Sequence, residues 1–129
     1  MGKVIDSLKK KSDLIIGKPV SKEDIIKAEQ ELDVSFAKDY VEYLENFGFA
    51  CYDSHEITGI CKAKRLNVVD VTKKELNYVS NIPEGAYVIE EAHIDDIVIW
   101  QVKNGNIYQS QGNNSVIYLC DSLNEYINM

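Results

Sequence analysis

The sequence predicts an α+β fold, with N-terminal helices packed on an antiparallel β-sheet and a closing C-terminal helix. Three observations carry this reading. Apolar residues recur at helical spacing through the first third of the chain and again in its last residues. β-rich runs separated by short Gly/Asn turns fill the second half. Apart from one short helical interruption, those runs follow one another directly, so hairpins rather than crossovers join them. The chain has 129 residues, 45% apolar and 27% charged. One domain takes about 100–200 residues, so 1–129 reads as a single domain.

Residues 1–11 read as a short helix, with Val4, Ile5 and Leu8 on one face and Lys9, Lys10 and Lys11 in its last turn. Gly17, Lys18 and Pro19 break the chain, and Ser21 caps a second helix whose first turn holds Glu23 and Asp24. Ile25, Ala28 and Leu32 mark its inner face. Ser35 is expected to cap a third helix lined by Tyr40, Val41, Leu44 and Phe47 and stopped by Gly48. Because those four fill the buried face, Tyr43 is expected to face outward.

A strand is expected over 55–60, and an apolar run follows over 67–71. Thr72 with Glu75 forms a capping box for a helix at about 73–79. Pro83, Glu84 and Gly85 turn the chain into the strand Tyr87–Val88–Ile89. Ile97 to Val102 is the next strand, and Asn104–Gly105–Asn106 the hairpin turn into Ile107 and Tyr108. Gly112, Asn113 and Asn114 turn again into Val116 to Leu119, and Asp121 or Ser122 starts the last helix. The inward phase of these elements predicts burial of Ile25, Leu32, Tyr40, Leu44, Val88, Ile99, Trp100 and Leu123.

Charge is unevenly placed. Residues 1–74 balance 13 basic against 13 acidic side chains. Beyond them, Lys103 alone opposes Glu75, Glu84, Glu90, Glu91, Asp95, Asp96, Asp121 and Glu125, which accounts for the whole net charge of −7. Such a half repels nucleic acid and anionic lipid and attracts a basic partner. No run approaches the roughly 18 apolar residues of a membrane span, and the N-terminus lacks a signal-peptide pattern. The expected location is cytoplasmic.

Motifs of catalysis are missing: there is no GxxxxGK[ST], GxGxxG, HExxH or GxSxG. Cys51, Cys61 and Cys120 are too scattered for a disulfide framework or a zinc site. Cys51 and His55 are four apart, about 13 Å if extended, too far for a nucleophile and its base. No enzyme activity, cofactor or metal is therefore expected.

The most loaded stretch runs from Glu90 through Glu91, Ala92, His93 and Ile94 to Asp95 and Asp96. It reads three ways: a solvated turn, an acidic recognition loop or, least well, a divalent-cation site lacking the EF-hand pattern. With the strand aromatics Trp100 and Tyr108, and Tyr87 beside them, Glu90, Glu91, Asp95 and Asp96 are the candidate partner-binding residues. The aromatics qualify only if they face out.

The stretch Val20–Ile25, followed by Ala28–Glu29, Leu32, Phe36, Asp39–Tyr40, Tyr43–Leu44 and Phe47–Gly48, resembles the N-terminal signature of the SUKH superfamily (Smi/Knr-like domains). The likeness continues at Gly59–Ile60, Val68–Val69, Thr72, Pro83, Val88–Ile89, Asn104–Gly105, Ile107–Tyr108, Ser122–Leu123 and Tyr126. It departs at Ala37, where the family usually has proline. The resemblance implies helices against an antiparallel sheet. It also implies an immunity protein that binds and neutralises a cognate polymorphic or contact-dependent toxin, often a basic, nuclease-like domain. The alternative it offers is a non-catalytic regulatory or scaffolding domain, as in cell-wall regulators. A small enzyme or ligand-binding domain is the third reading.

Overall fold

The computed structural model describes residues 2–112 and 116–129. Among these, five helices and two antiparallel sheets form the expected α+β architecture. Helix α1 (Lys3–Lys9) buries Val4, Ile5 and Leu8. Helix α2 (Lys22–Leu32) starts where Ser21 Oγ accepts the Asp24 N–H at 3.2 Å. It ends at Asp33 in the left-handed conformation, and Leu32 there is only partly buried.

Helix α3 (Lys38–Phe47) departs from expectation at its start. Its N-cap is Ala37, with no side-chain cap, and Ser35 is exposed. The approach is held from elsewhere: Glu29 accepts the Phe36 N–H at 2.8 Å, and the Tyr87 hydroxyl accepts the Ala37 N–H at 2.8 Å. Tyr43 faces inward, fully buried, and its hydroxyl donates to the carbonyls of Ile57 and Thr58. The expectation that it faces solvent is corrected, because a phenol can bury its ring while its hydroxyl satisfies a strand end.

A small sheet of order β1-β2-β3 joins β1 (Ile15–Ile16), β2 (Ala50–Tyr52) and β3 (His55–Ile57). The β2–β3 turn places Asp53 and Ser54 at φ 46° and 67°. That mirror-image turn usually advertises itself as Asn-Gly, so this hairpin carried no sequence signal. Gly59 packs on Gly48 so closely that a Cβ on it would lie 1.5 Å from the Gly48 carbonyl oxygen.

Helix α4 (Val68–Glu75) begins five residues earlier than the capping box suggested. Asn67 is the cap, accepting the Val69 N–H at 3.0 Å. Thr72 lies inside the helix, buried, and its hydroxyl accepts the Val88 N–H at 2.9 Å. Val68, Val71 and Thr72 face the protein at helical spacing.

The main sheet is a meander of β4 (Tyr87–Glu91), β5 (Ile97–Gln101), β6 (Ile107–Gln111) and β7 (Ile117–Cys120), in that order. The β5–β6 turn forms as expected, with Gly105 N–H bonded to Val102 and Val102 N–H to Asn106. The expected turn at Gly112–Asn114 falls partly outside the described residues. Helix α5 (Leu123–Ile127) starts at Ser122, whose hydroxyl accepts the Glu125 N–H at 3.1 Å.

One face of the main sheet joins Tyr87, Ile89, Ile99 and Ile107 to the core of α1, α3 and α5. The other packs Val88, Val98 and Trp100 under Val71 and Val79. The first half of the meander is thus covered on both faces, and its strands are apolar on both faces in consequence.

Candidate protein-binding surface

A bulge in β4 decides what the acidic stretch can do. Val88 pairs with Trp100, but Glu90 pairs with Ile99 and Glu91 with Val98. The extra residue, Ile89, breaks the alternation, as bulges do. Glu90 consequently shares the inner face with Ile99, and Glu91 shares the α4 face with Val98.

Glu90 is 3% exposed. Its carboxylate lies 3.0 and 3.1 Å from His55 Nδ1, accepts the Glu56 N–H at 2.9 Å, and accepts the Tyr126 hydroxyl. The His55 ring stacks on Tyr52 with centroids 5.2 Å apart. Burial, then the charge and hydrogen bond of Glu90, push the Tyr126 phenol far above its ordinary range, so it stays a donor. This cluster ties β3, β4 and α5 together. Glu90 is a structural carboxylate in this fold, which corrects its place among the contact residues.

Trp100 and Tyr87 are likewise enclosed, both at 0% exposure. The Trp100 indole donates to Ser110 Oγ at 2.9 Å, and the Tyr87 hydroxyl donates to Gln101 at 2.8 Å. Neither is an anchor available to a partner, because α4 and its following loop cover one and α3 the other. Pairing aligns Val88, Trp100, Tyr108 and Tyr118 on one face of the sheet. The covering stops after Trp100. Tyr108 is half-buried, and its ring meets Tyr118 edge-on at 5.9 Å, with Tyr118 51% exposed.

The remaining acidic candidates border a groove of about 690 Å³ between the end of α4 and the β4–β5 turn. Its wall holds Glu91, whose carboxylate meets the Lys74 ammonium at 2.6 Å, and Glu75, 3.6 Å from the same ammonium. Burial, then a hydrogen bond and like-charge repulsion from Glu91, push the Glu75 carboxyl up to about 7. Glu91 is buried too, which would raise it, but hydrogen bonds from Glu75 and Lys74 and the Lys74 charge outweigh this and hold it below its ordinary value.

The rim is exposed and mixed in character. Tyr78 and Ile94 are 68% and 62% exposed, and Asp95 and Asp96 are exposed. His93, Asp95 and Asp96 take φ of 59°, 53° and 57°, a left-handed backbone that Asp tolerates better than most residues. The sequence carries no signal that Tyr78 and Tyr118 are exposed. Ile94 was visible as a single aliphatic residue inside an acidic turn, which was its signal.

The Cys51–His55 pair is not assembled as a nucleophile and its base. His55 is engaged with Glu90, and the β2–β3 register sets Cys51 opposite Glu56 rather than His55. Burial raises the thiols of Cys51, Cys61 and Cys120, against thiolate chemistry. Among the described residues, no three His, Cys, Asp or Glu side chains gather to hold a metal ion, and no helix is long and apolar enough to cross a membrane.

A search of curated proteins found no match to this chain. A family model does match it, SUKH_5, described as SMI1-KNR4 cell-wall, over residues 1–128. That family consists generally of non-catalytic immunity and regulatory domains. A match over nearly the full length, on a fold whose helices back an antiparallel meander, means that the chain belongs to the SMI1-KNR4 family of the SUKH superfamily.

Proposed function

We propose that this protein is an immunity protein that neutralises a cognate toxin by binding its basic, nuclease-like domain in the groove between α4 and the β4–β5 turn. The observation that carries the reading is the coincidence of exposed apolar and acidic side chains there. Tyr78 and Ile94 offer the apolar contact, Asp95 and Asp96 flank it, and the whole net charge of −7 lies in residues 75–129. Exposed apolar groups rimmed by charge mark protein contact surfaces. Acids on the rim speed the encounter with a basic partner and act as decoys for its anionic substrate. Tyr108 and Tyr118, on the uncovered part of the same sheet face, extend the surface. The family's cell-wall description supports a second reading, a non-catalytic regulatory or scaffolding domain acting through protein contacts.

The test is co-expression with candidate toxin domains, sought first among the products of neighbouring genes, comparing the parent with a variant carrying Ile94→Ala, Asp95→Asn and Asp96→Asn. Asn suits the left-handed turn, so the fold and melting temperature should hold. Protection of the cell should fail, and association at low salt should slow about tenfold or more. Unchanged protection and rate would move the site away from this groove. The groove of about 830 Å³ between the end of α2 and the β5–β6 turn would then be examined.

A further inference from the structure

The two edges of the main sheet are treated differently. On the outer side of β4, the Ile89 carbonyl accepts the Thr58 N–H at 2.8 Å and the Val88 carbonyl accepts the Thr58 hydroxyl at 2.8 Å. At the other edge, β7 pairs only with β6. Among the described residues, no hydrogen bond reaches the backbone of Ile117, Tyr118 or Leu119 from the far side. Alternate residues of an antiparallel strand turn their N–H and C=O away from the neighbour, so β7 presents unpaired donors and acceptors. Its side chains are open as well. Ile117 is 49% and Tyr118 51% exposed, and successive residues point to opposite faces, so the covering of the sheet ends before β7 on both sides. From Val116 to Cys120 there is no charge and no proline, the residues with which proteins usually blunt such an edge.

The charges stand at the two ends of the edge, and all have one sign. Asp121 follows the strand, is exposed, and accepts the Tyr118 hydroxyl. At the other end the Asp96 carbonyl accepts the Gly112 N–H at 3.3 Å, which sets the Asp95–Asp96 turn beside the end of β6. Beyond Lys103 the chain contains no lysine, arginine or histidine. These charges choose the occupant. A second copy would bring two such edges together with no cation on β6, β7 or α5 to offset the acids, whereas a basic strand meets the same acids favourably.

We propose that the β7 edge is where the bound partner adds an extended, lysine- or arginine-bearing segment as a fifth strand of the main sheet. This rests on the reading of the protein as a toxin-binding immunity protein and names its mode of binding. Main-chain bonds to β7 supply affinity, Ile117 and Tyr118 meet side chains on either face of the added strand, and the acids at both ends select its charge. The edge is continuous with the groove, since the Asp95–Asp96 turn borders both.

Amide exchange, followed by NMR on the isotope-labelled chain, reads the edge directly. In the free protein alternate amides of β7 should exchange fast while their neighbours are protected by β6. Protection of all of them, or sedimentation as a dimer that Ile117→Lys dissociates, would mean that the edge is already occupied, and overturns the proposal without any partner being needed. The bound state uses the toxin domain of the protection assay. There the fast β7 amides should slow about a hundredfold or more. Ile117→Lys, at an exposed site, should leave the melting temperature nearly unchanged and weaken binding about tenfold or more, and Ile117→Glu should weaken it far less. Binding that leaves those amides as fast as in the free chain, or that tolerates Ile117→Lys, overturns strand addition alone and leaves the groove standing. If no candidate domain binds or is neutralised, the partner reading fails, and strand addition with it.

Discussion

Glu90→Ala separates the buried carboxylate from the exposed ones beside it in sequence. The substitution removes an acceptor from three donors: the His55 ring, the Glu56 N–H and the Tyr126 hydroxyl. The His55 side chain is 48% exposed and can turn to water. The other two are part-buried and lose their partner, at about 1–3 kcal/mol each. The vacated volume adds about 1 kcal/mol, and relief from burying a charge takes some back. The expected loss is about 3–5 kcal/mol, against less than about 0.5 kcal/mol for Asp95→Asn on the exposed turn. Urea denaturation followed by the fluorescence of Trp100 reads it, since this lone tryptophan is fully buried in the folded state. Tyr126→Phe in the Glu90→Ala background should add much less than Tyr126→Phe alone, because the hydroxyl already lacks its acceptor. A loss below about 1 kcal/mol would mean that Glu90 is solvated and that the bulge does not turn it inward.

Leu44→Ala, at a side chain with no exposed surface in the main core, should cost about 2–5 kcal/mol in the same melts, and a change under about 0.5 kcal/mol would place the helix face wrongly. Gly59→Ala should lower the yield of folded protein severely, since its Cβ would sit 1.5 Å from the Gly48 carbonyl, whereas Gly85→Asn, with φ +79° and open space, should be mild. Comparable behaviour of the two would contradict the close approach. Glu75 binds its proton more tightly folded, at about 7, than its ordinary 4.5, so its contribution is present below about pH 4.5 and lost as pH rises through about 7. Glu75→Gln should therefore gain stability relative to the parent between about pH 5 and pH 8, and a pH-independent difference would refute the raised Glu75 carboxyl.

Where a structural signal is satisfied within a few residues, the sequence alone determined the outcome. Ser21 and Ser122 cap the helices they were expected to cap, Gly48 stops α3, and Asn104–Gly105–Asn106 turns the hairpin, each through bonds of short range. The periodic core also followed, from Ile25 to Leu123, except for Leu32, which is only partly buried at the end of α2. The charge split was legible for the same reason, since it needs only a count.

Tertiary structure decided the rest, because the partners lie far along the chain. The start of α3 is fixed by Glu29 and by a hydroxyl 50 residues away, so Ser35 was a false cap. Thr72 is spent on a β4 amide, not on its own helix. The bulge that sends Glu90 inward and Glu91 toward α4 is a property of the pairing with β5, and no window on β4 contains it. Whether an aromatic on a strand faces solvent depends on what covers the sheet: α4 and its loop lie over Trp100 and stop short of Tyr118. The alternation of a strand tells which residues share a face, and only the packing of distant elements tells which face meets water.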